Sequence, residues 1–344
     1  VRLWGDFPVI TTVADDITSE NIDEVYPQYF PKQNTELEAY QQIEKDLLDA
    51  VLYAPDNTPG NKTLFSKSVA RTLLAKIYAE KPLRDYTKVI QYCDEVKADG
   101  FDLVDDFSDL FGMNAAGTDA KMRNTKESIL EAQFTSGAGN WCTWMFGRDL
   151  VNWNNNFTWA KWVTPSRDLI SAFKQEGDEV RFKESIVYYD CNWSNYYPSD
   201  NYPFMYKCRS ANSSIIKYRY ADVLLLKAEA LIMQDTPDLE GAADIIDEVR
   251  DRAKLGALPT SVRSNKNVLL NALLKERRLE LAFEGQRWFD LVRLDKVEEV
   301  MNAVYAKDSG RKAQIYTFDK NSYRLPIPQS VIDANDKIHQ NPGY

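Results

Sequence analysis

An internal repeat constrains the fold of this sequence more than any other feature. When residues 73–96 are laid on residues 226–249 without a gap, at an offset of 153, six of the 24 positions are identical. The identical pairs are Leu73 and Leu226, Ala75 and Ala228, Asp85 and Asp238, Asp94 and Asp247, Glu95 and Glu248, and Val96 and Val249. Each copy predicts a helix, a short turn and a second helix, with a small residue where the helices approach closely. Such a unit buries its apolar face only by stacking on neighbouring units.

Two further segments predict helices. Residues 37–52 carry apolar side chains every three or four positions, and residues 267–294 carry a longer apolar stripe. Arg277 and Glu284 fall on that stripe, so we expect both charges to be buried and paired with groups on a neighbouring hairpin. A catalytic carboxylate at Glu284 is the alternative. Gly285 is expected to separate two helices or to kink one. Together these patterns predict a mostly α-helical protein built from tetratricopeptide-like hairpins.

A different kind of sequence lies between the two repeats. Residues 134–214 show little helical periodicity, and six of the eight tryptophans fall within 53 residues, from Trp141 to Trp193. Tyrosines and asparagines are interleaved with them. Loops of this length in compact domains are usually functional or disordered, and the aromatic content argues against disorder. We therefore expect a long, irregular, ligand-binding region on a helical scaffold.

The residue types in this region suit a sugar. A sugar ring has an apolar C–H face, which an aromatic plane can cover, and hydroxyl groups, which side-chain amides can meet as donor and acceptor at once. The candidate ligand-binding residues are Trp141, Trp144, Trp153, Trp159, Trp193, Tyr196, Tyr197, Asn154, Asn155 and Asn192.

Two alternatives to ligand binding stay open for these residues. The aromatic side chains can form the local core of a long loop, and Trp162 is the first candidate for that role because a helix follows it. Ser166 or Thr164 would cap this helix, which carries Leu169 and Phe173 on its apolar face. The asparagines can serve only as turn formers.

Composition and motifs exclude several classes of function. The net charge of −10 argues against nucleic-acid binding, and no run of eighteen apolar residues could span a membrane. His339 is the only histidine, which removes most zinc sites and every histidine-based mechanism not built on it. Metalloprotease, Walker, dinucleotide-binding and nucleophile-elbow motifs are absent from the sequence. We expect a protein that is not an enzyme and that needs no cofactor and no metal.

The four cysteines, Cys93, Cys142, Cys191 and Cys208, form no C-x-x-C pair. Their spacing does not distinguish thiols from a disulfide, although Cys191 and Cys208 could close a loop.

Two longer motifs lie near the C-terminus. The last 22 residues begin with Tyr323 and contain Leu325-Pro-Ile-Pro328, in which two prolines fix an extended stretch. A short helical turn is expected over residues 329–335, and Asn341-Pro-Gly-Tyr344 predicts a closing turn. We call residues 323–344 the terminal strap. The second motif is the stretch from Glu276 to Leu294, which contains Arg277-Arg-Leu-Glu280 and Gly285-Gln-Arg-Trp288.

Both motifs resemble, almost residue for residue, signatures of the SusD/RagB family of Bacteroidetes outer-membrane nutrient-binding lipoproteins. The resemblance extends from Gly5-Asp-Phe-Pro8 to the terminal strap. It implies a mostly helical fold with tetratricopeptide-like hairpins and an irregular ligand-binding face. It also implies a lipid-anchored protein on the outer face of the outer membrane, which captures an oligosaccharide and delivers it to a SusC-type TonB-dependent transporter.

Three other functions stay open at this point. Some relatives of this kind bind a peptide in place of a glycan. A glycoside hydrolase on a helical scaffold would use the same aromatic residues and would turn over its oligosaccharide. A tetratricopeptide scaffold would bind proteins through its helical groove and would leave the aromatic residues of 134–214 buried.

The expected organisation has three parts within one compact unit. Residues 1–133 form a helical part with one hairpin, residues 134–214 the ligand-binding region, and residues 215–344 the second hairpin and the terminal signatures. Residues 1–8 are interpreted as the end of a helix broken by Gly5 and Pro8. The resemblance then implies that a signal sequence, a lipidated cysteine and further helices precede residue 1.

Overall fold

The structure is a computed structural model that describes residues 1–134, 150–151, 163–192, 197–307 and 317–344. The helices are α1 (Ile22–Val25), α2 (Glu36–Tyr53), α3 (Lys67–Ala79), α4 (Tyr86–Ala98), α5 (Ser108–Phe111), α6 (Arg167–Glu176), α7 (Glu179–Ser185), α8 (Tyr220–Met233), α9 (Leu239–Arg252), α10 (Thr260–Arg263), α11 (Lys266–Glu280), α12 (Arg287–Arg293), α13 (Val297–Lys307) and α14 (Gln329–Ala334). The mostly α-helical class is therefore confirmed.

Two short antiparallel sheets accompany the helices in the described part of the chain. Strand β1 (Ser128–Ala132) pairs with β4 (Ile215–Arg219), and β2 (Ile186–Tyr189) pairs with β3 (Tyr202–Met205). The β2–β3 register places Ile186 opposite Met205 and Tyr189 opposite Tyr202. The first sheet lies between the two hairpins along the chain, and the second lies beside α6 and α7.

The repeat forms two helical hairpins, as the sequence predicts. Helices α3 and α4 make the first hairpin, and α8 and α9 make the second, with both starts displaced by the same 153 residues. The helices stack in the order α2, α3, α4, α8, α9 and α11. Ala75 and Ala228 are fully buried in the shared core, which explains why the pattern needs a small side chain there.

Equivalent polar contacts close the two hairpins. The Asp85 carboxylate caps α4 by accepting from the Lys88 backbone N–H at 3.1 Å, and Asp238 caps α9 through the Gly241 N–H at 2.9 Å. The backbone N–H of Asp85 donates to the carbonyl of Tyr78, and that of Asp238 donates to the carbonyl of Leu231, both at 2.9 Å. The repeated aspartates therefore fix the turn in each hairpin.

Helix α8 is the centre of the core. Its sequence has no polar face, and nearly all its side chains are buried, as expected for a helix that is apolar all round. Asp222 and Glu229 are the acidic exceptions, and both are buried and paired with arginines. A buried carboxylate is tolerated in such a helix only when a cation compensates its charge.

The described part of residues 134–214 is more regular than the sequence indicated. It contains α6, α7 and the β2–β3 pair. The short strands were missed because Ile186–Tyr189 and Tyr202–Met205 are each only four residues long and have no clear alternation. The three-part division of the chain stays a prediction.

The long apolar stripe is divided at the expected place. Helix α11 ends at Glu280 and α12 begins at Arg287. Between them Phe283 and Gly285 adopt φ values of 66° and 75°, in the left-handed region that ends an α-helix. The break turns the chain so that Glu284 lies in a tight bend and not on a helix.

The terminal strap closes on the N-terminal segment. The strap contains α14 followed by the expected turn at its end, with Gly343 at φ 96°. Four of its hydrogen bonds to that segment are Leu325 N–H to Leu3 O at 2.7 Å, Asn341 Nδ2 to Trp4 O at 3.0 Å, Asn335 Nδ2 to Pro31 O at 2.9 Å, and His339 N–H to Gln33 Oε1 at 2.8 Å. In residues 1–5 the Gly5 N–H donates to Val1 O at 2.7 Å and Gly5 adopts a φ of 69°, which is the geometry expected where a helix ends at a glycine.

The loop closure considered for two cysteines does not occur. Cys191 and Cys208 are both buried, and no disulfide joins them. Cys93 is also buried, in the core between α4 and α8, and burial raises the pKa of its thiol. Cys142 lies outside the described residues.

A network of buried charges explains the signature at the end of α11. The Glu280 carboxylate accepts from three arginine side chains, at 3.0 Å from Arg181 and 2.5 Å from Arg219, and also from Arg252. Arg219 and Arg252 also share Glu127, at 2.7 and 3.0 Å. These elements are far apart in sequence, so the network joins α7, α9, α11 and the first sheet.

Glu284 belongs to the same network. Its carboxylate accepts from Lys207 at 2.6 Å and from Arg219 at 2.7 Å, and its side chain is only 11% exposed. The expectation that Glu284 is buried and paired is confirmed, but its partners lie on β4 and on the segment after β3, not on a helix. The reason is the bend at Gly285, which directs residue 284 away from the hairpins.

Arg277 is at the centre of a second buried cluster. Its guanidinium donates to Asp222 of α8 at 2.7 Å and to Asp290 of α12 at 2.9 Å. Arg293 also bonds Asp290, at 2.9 Å, and pairs with Glu229. Arg277 is therefore buried and paired as predicted, and its pairing holds α11 and α12 against the second hairpin.

These charges make stability depend on pH. Burial alone would raise the pKa of each of four carboxyl groups, but neighbouring cations outweigh burial and hold each pKa below its usual range; the four are Asp222, Glu280, Glu284 and Asp290. Such a group contributes stability above about pH 4 that is lost as the pH falls toward the folded-state pKa. For Asp178 and Glu276 burial raises the pKa, so those two favour the folded state as the pH falls toward about 4.

Below about pH 4 we expect the stability lost through the four carboxyl groups with lowered pKa to exceed the stability gained through the two with raised pKa. The free energy of unfolding should therefore be smaller at about pH 3.5 than at pH 7. Urea denaturation followed by tryptophan fluorescence at both pH values measures this. An equal or higher midpoint at the acid pH would contradict the direction of these pKa shifts.

Candidate functional site

Most predicted ligand-binding residues lie outside the described residues. These are Trp141, Trp144, Trp153, Trp159, Trp193, Tyr196, Asn154 and Asn155, and Trp162 is a further residue outside them. Tyr197 and Asn192 are described. Tyr197 is half-buried beside α6, whereas Asn192 is exposed.

Helix α6 supplies one wall of a cleft that Tyr197 lines. Ser166 caps it by accepting from the Leu169 backbone N–H at 3.1 Å, which settles the choice between the two expected caps. Gly177 ends it at φ 70°. Leu169 and Phe173 are buried beneath it, so its polar face points outward.

The second wall comes from β2 and the segment before β3. The cleft has a volume of about 470 Å³, within the range of small-molecule sites. We call it the aromatic cleft; it is lined by Arg167, Ile170, Ser171, Lys174, Gln175, Tyr188, Tyr197, Pro198 and Asn201. The buried side chain of Ile170 forms its floor, and Asn201 and Gln175 are exposed at its rim.

Tyr197 is held in place by three contacts. Its hydroxyl donates to the carbonyl of Pro165 at 2.7 Å. The Arg167 guanidinium lies 4.8 Å from its ring centroid, and the Tyr202 ring meets it edge-on at 5.7 Å. The ring is therefore fixed, with Arg167 over one face. Ligand binding by Tyr197 stays a prediction, supported by its position in the cleft.

Tyr188 is the second aromatic residue of the cleft, and the sequence did not single it out. It is half-buried on β2 and lies 6.4 Å from the ring of Phe182, and burial raises the pKa of its hydroxyl. In the sequence, Tyr188 is one of several closely spaced tyrosines, and nothing distinguishes it from the others. Ser171 and Gln175 were also missed, because they lie on the polar face of a helix, where such residues are ordinary.

Ion pairs fix the wall formed by α6 to the scaffold. Asp168 pairs with Arg278 of α11 at 2.6 Å. Glu176 pairs with Arg250 of α9 at 2.7 Å and with Lys275. A wall anchored at both ends keeps the cleft largely preformed, which lowers the entropic cost of binding.

The chemistry of this cleft is that of binding. Two tyrosine rings, two side-chain amides and a serine hydroxyl can meet the faces and hydroxyl groups of a sugar. Among the described residues, no group of three His, Cys, Asp or Glu side chains could hold a metal ion. None of the described residues that line the cleft is acidic, and the two carboxylates on the α6 wall, Asp168 and Glu176, are both paired with cations.

Comparison with known proteins shows a similarity to SusD-like proteins. The model of the SusD family matches residues 200–344, which include both terminal signatures. SusD-like protein P2 of Formosa agariphila is 28% identical over 393 aligned residues, covering all of this chain and 71% of the relative. Residues 200–344 match the SusD family, and the chain is similar to a SusD-like protein over its whole length.

Solved structures of SusD-like proteins share the fold. A laminarin-binding SusD-like protein matches 100% of this chain and 75% of its own, with a TM-score of 0.71 and 24% identity. Surface glycan-binding protein A from Bacteroides fluxus matches 100% of this chain and 74% of its own, with a TM-score of 0.74 and 22% identity. At these identities the likeness establishes the SusD-like fold. No helix within the described ranges is long and apolar enough to cross a membrane.

Proposed function

We propose that this SusD-like chain binds an oligosaccharide at the cell surface and delivers it to a SusC-type TonB-dependent transporter. The protein would act from the outer face of the outer membrane, held there by a lipid anchor. Its work would be capture, with no chemical step on the glycan.

The observation that carries this proposal is the aromatic cleft on a SusD-like scaffold. Tyr188 and Tyr197 offer aromatic surface, while Gln175 and Asn201 offer amides at the rim. This combination meets both surfaces of a sugar ring. The tryptophan-rich segments that flank the cleft in sequence would extend the aromatic surface.

Two proteins with the same fold support the choice of a glycan. One is described as laminarin-binding and the other as a surface glycan-binding protein. The similarity to SusD-like proteins supports the transporter partner and the membrane location, since the SusD/RagB resemblance implies both. Nothing in the cleft favours a peptide over a glycan, so peptides enter as a competing ligand in the test.

The expected affinity suits a receptor that must release its ligand. One aromatic ring stacked on a sugar hides roughly 60 Å² of apolar surface, which stabilises the complex by about 1.5 kcal/mol. Two or three such contacts, after the entropic cost of association, give roughly millimolar to micromolar dissociation constants.

A glycan and peptide array probed with the purified chain tests the proposal. We expect saturable retention of one class of oligosaccharide and no retention of peptides. Incubation with the best-retained glycan should release no reducing ends above a control without protein. Retention of peptides alone would replace the glycan with a peptide ligand, and steady hydrolysis would identify an enzyme.

Trp153→Ala and Trp159→Ala are each expected to weaken glycan binding by about 1–3 kcal/mol, the usual contribution of an aromatic stacking contact. Stability should be nearly unchanged, because an exposed ring contributes little to the core. Isothermal titration and urea denaturation measure the two effects. A core tryptophan would behave in the opposite way, losing about 3–5 kcal/mol of stability.

Trp4→Ala provides the control, because Trp4 is an exposed tryptophan, at 42%, and lies in the N-terminal segment. It should leave glycan binding unchanged. If alanine variants of Trp141, Trp144, Trp153, Trp159 and Trp193 all lose stability and none alters binding, the tryptophans are core and the ligand binds elsewhere.

A further inference from the structure

The aromatic cleft continues along α6 into two further cavities. A cavity of about 210 Å³ shares Arg167 and Ser171 with the cleft. A cavity of about 330 Å³ then shares Ser166 with the smaller one and reaches Trp288 at the start of α12. We call these three connected spaces the α6 groove.

The α6 groove is basic, although the whole chain carries a net charge of −10. Among the described residues that line it, Asp168 is the one acidic residue, whereas six residues are basic: Arg167, Lys174, Arg277, Arg278, Arg287 and Lys307. In an acidic protein, a groove with this excess of basic residues is a local feature and not a consequence of overall composition.

Ion pairing inside the protein accounts for only some of these cations. Arg277 is balanced by its buried carboxylates, and Arg278 by Asp168. Lys307 lies 3.9 Å from Asp168, which Arg278 already occupies at 2.6 Å. Within the part of the chain that the structure describes, Lys174 and Arg287 have no carboxylate at ion-pair distance.

Arg287 is the most informative of these residues. Its guanidinium is partly buried and donates to the carbonyl of Leu274 at 2.8 Å. Burial and the nearby charge of Arg278 lower its pKa to about 10. A cation in this position is stabilised by an added anion, and a guanidinium binds carboxylate or sulfate through two parallel hydrogen bonds. The Trp288 ring lines the same cavity and offers an apolar surface beside the charge.

We propose that the oligosaccharide taken by this chain is acidic, and that its carboxylate or sulfate groups lie in the α6 groove against Arg287, Lys174 and Lys307. This rests on the proposed glycan-binding function and adds the class of glycan. Aromatic and amide groups would hold the sugar rings in the aromatic cleft, while the basic residues would select against neutral chains.

Matched pairs of glycans test the proposal with the full chain. One pair is an oligogalacturonate and its methyl ester of equal length; the other is a sulfated galactan oligosaccharide and its desulfated form. We expect retention of at least one acidic member, little retention of its neutral partner, and weaker binding as salt rises from about 0.05 to 0.5 M. The pair that responds distinguishes carboxylate from sulfate.

Charge-neutralising variants show where the anion binds. Lys174→Gln is expected to weaken binding of the acidic member about two- to fivefold, as for an exposed pair. Arg287→Gln is expected to weaken it about tenfold, as for a charge-assisted contact that is partly buried. Lys266→Gln is the matched control, because Lys266 is an exposed cation at the opposite end of α11. It should leave binding unchanged.

The outcomes separate this inference from the proposed function. Retention of neutral glycans only, equal retention of both members at every salt concentration, or equal loss in the Lys266 variant would overturn the acidic glycan while leaving glycan binding in place. Retention of no glycan at all would overturn both. Lys174 is exposed, so Lys174→Gln should fold normally. It still tests the proposal if Arg287→Gln does not fold.

Discussion

Arg277→Ala is expected to lower the free energy of unfolding by about 3–5 kcal/mol, as when one partner of a buried ion pair is removed. The Arg277 side chain is only 1% exposed and bonds Asp222 and Asp290. Its loss leaves two buried carboxylates with fewer cations, and it opens a void between α11 and α12. Urea denaturation of the purified variant measures the change.

The surface ion pair of Lys126 with Asp102 and Asp105 provides the control. Both carboxylates are largely exposed, at 62% and 97%, so Lys126→Ala should change stability by about 0–1 kcal/mol. If both variants unfold at the same urea concentration as the unchanged chain, the buried cluster does not hold α11 and α12 in place.

Glu280→Gln is expected to have a similar effect, again about 3–5 kcal/mol. This substitution keeps the shape of the side chain and removes only its charge. It would leave Arg181, Arg219 and Arg252 facing one another without the central anion that they now share. Stability should fall because those buried cations then repel one another, and the midpoint of urea denaturation reports it.

Glu131→Gln is a matched comparison, because Glu131 is also a buried carboxylate, 4% exposed. Its described hydrogen-bond donors are uncharged: the Asn124 backbone N–H at 2.9 Å and the Gln133 amide at 3.1 Å. We expect a loss of about 1 kcal/mol. Equal losses in the two variants would show that burial of the carboxylate, and not its arginine partners, sets the effect.

The helical scaffold was largely predictable from the sequence because its determinants are local. The repeat predicted the two hairpins, and the same spacing of 153 residues separates the Asp85 and Asp238 helix caps. A capping carboxylate and an apolar helical stripe act over one or two turns of helix. Both can therefore be recognised in the sequence without knowing which elements pack against the helix. The bend at Gly285 and the extended prolines of the terminal strap follow for the same reason.

The sequence predicted the types of residue in the candidate site but not most of the residues that line it. The sequence pointed to tyrosines and asparagines after residue 134, and Tyr197 does lie in the aromatic cleft. It did not select Tyr188, Ser171 or Gln175, because membership of a cleft depends on which faces of α6 and β2 meet. The tryptophans chosen from the sequence lie outside the described residues, and their role stays a prediction.

The sequence by itself therefore determined the hairpins, the helix break, the terminal strap and the resemblance to SusD-like proteins, since each rests on short-range patterns or on an ordered motif. Only the tertiary structure decided which partners the buried charges find. Glu284 meets Arg219 and Lys207, rather than a helix, because the bend redirects it. Only the tertiary structure placed Arg287 and Lys174 along the α6 groove, because residues 113 positions apart in sequence line adjoining cavities only when α6 packs against α11.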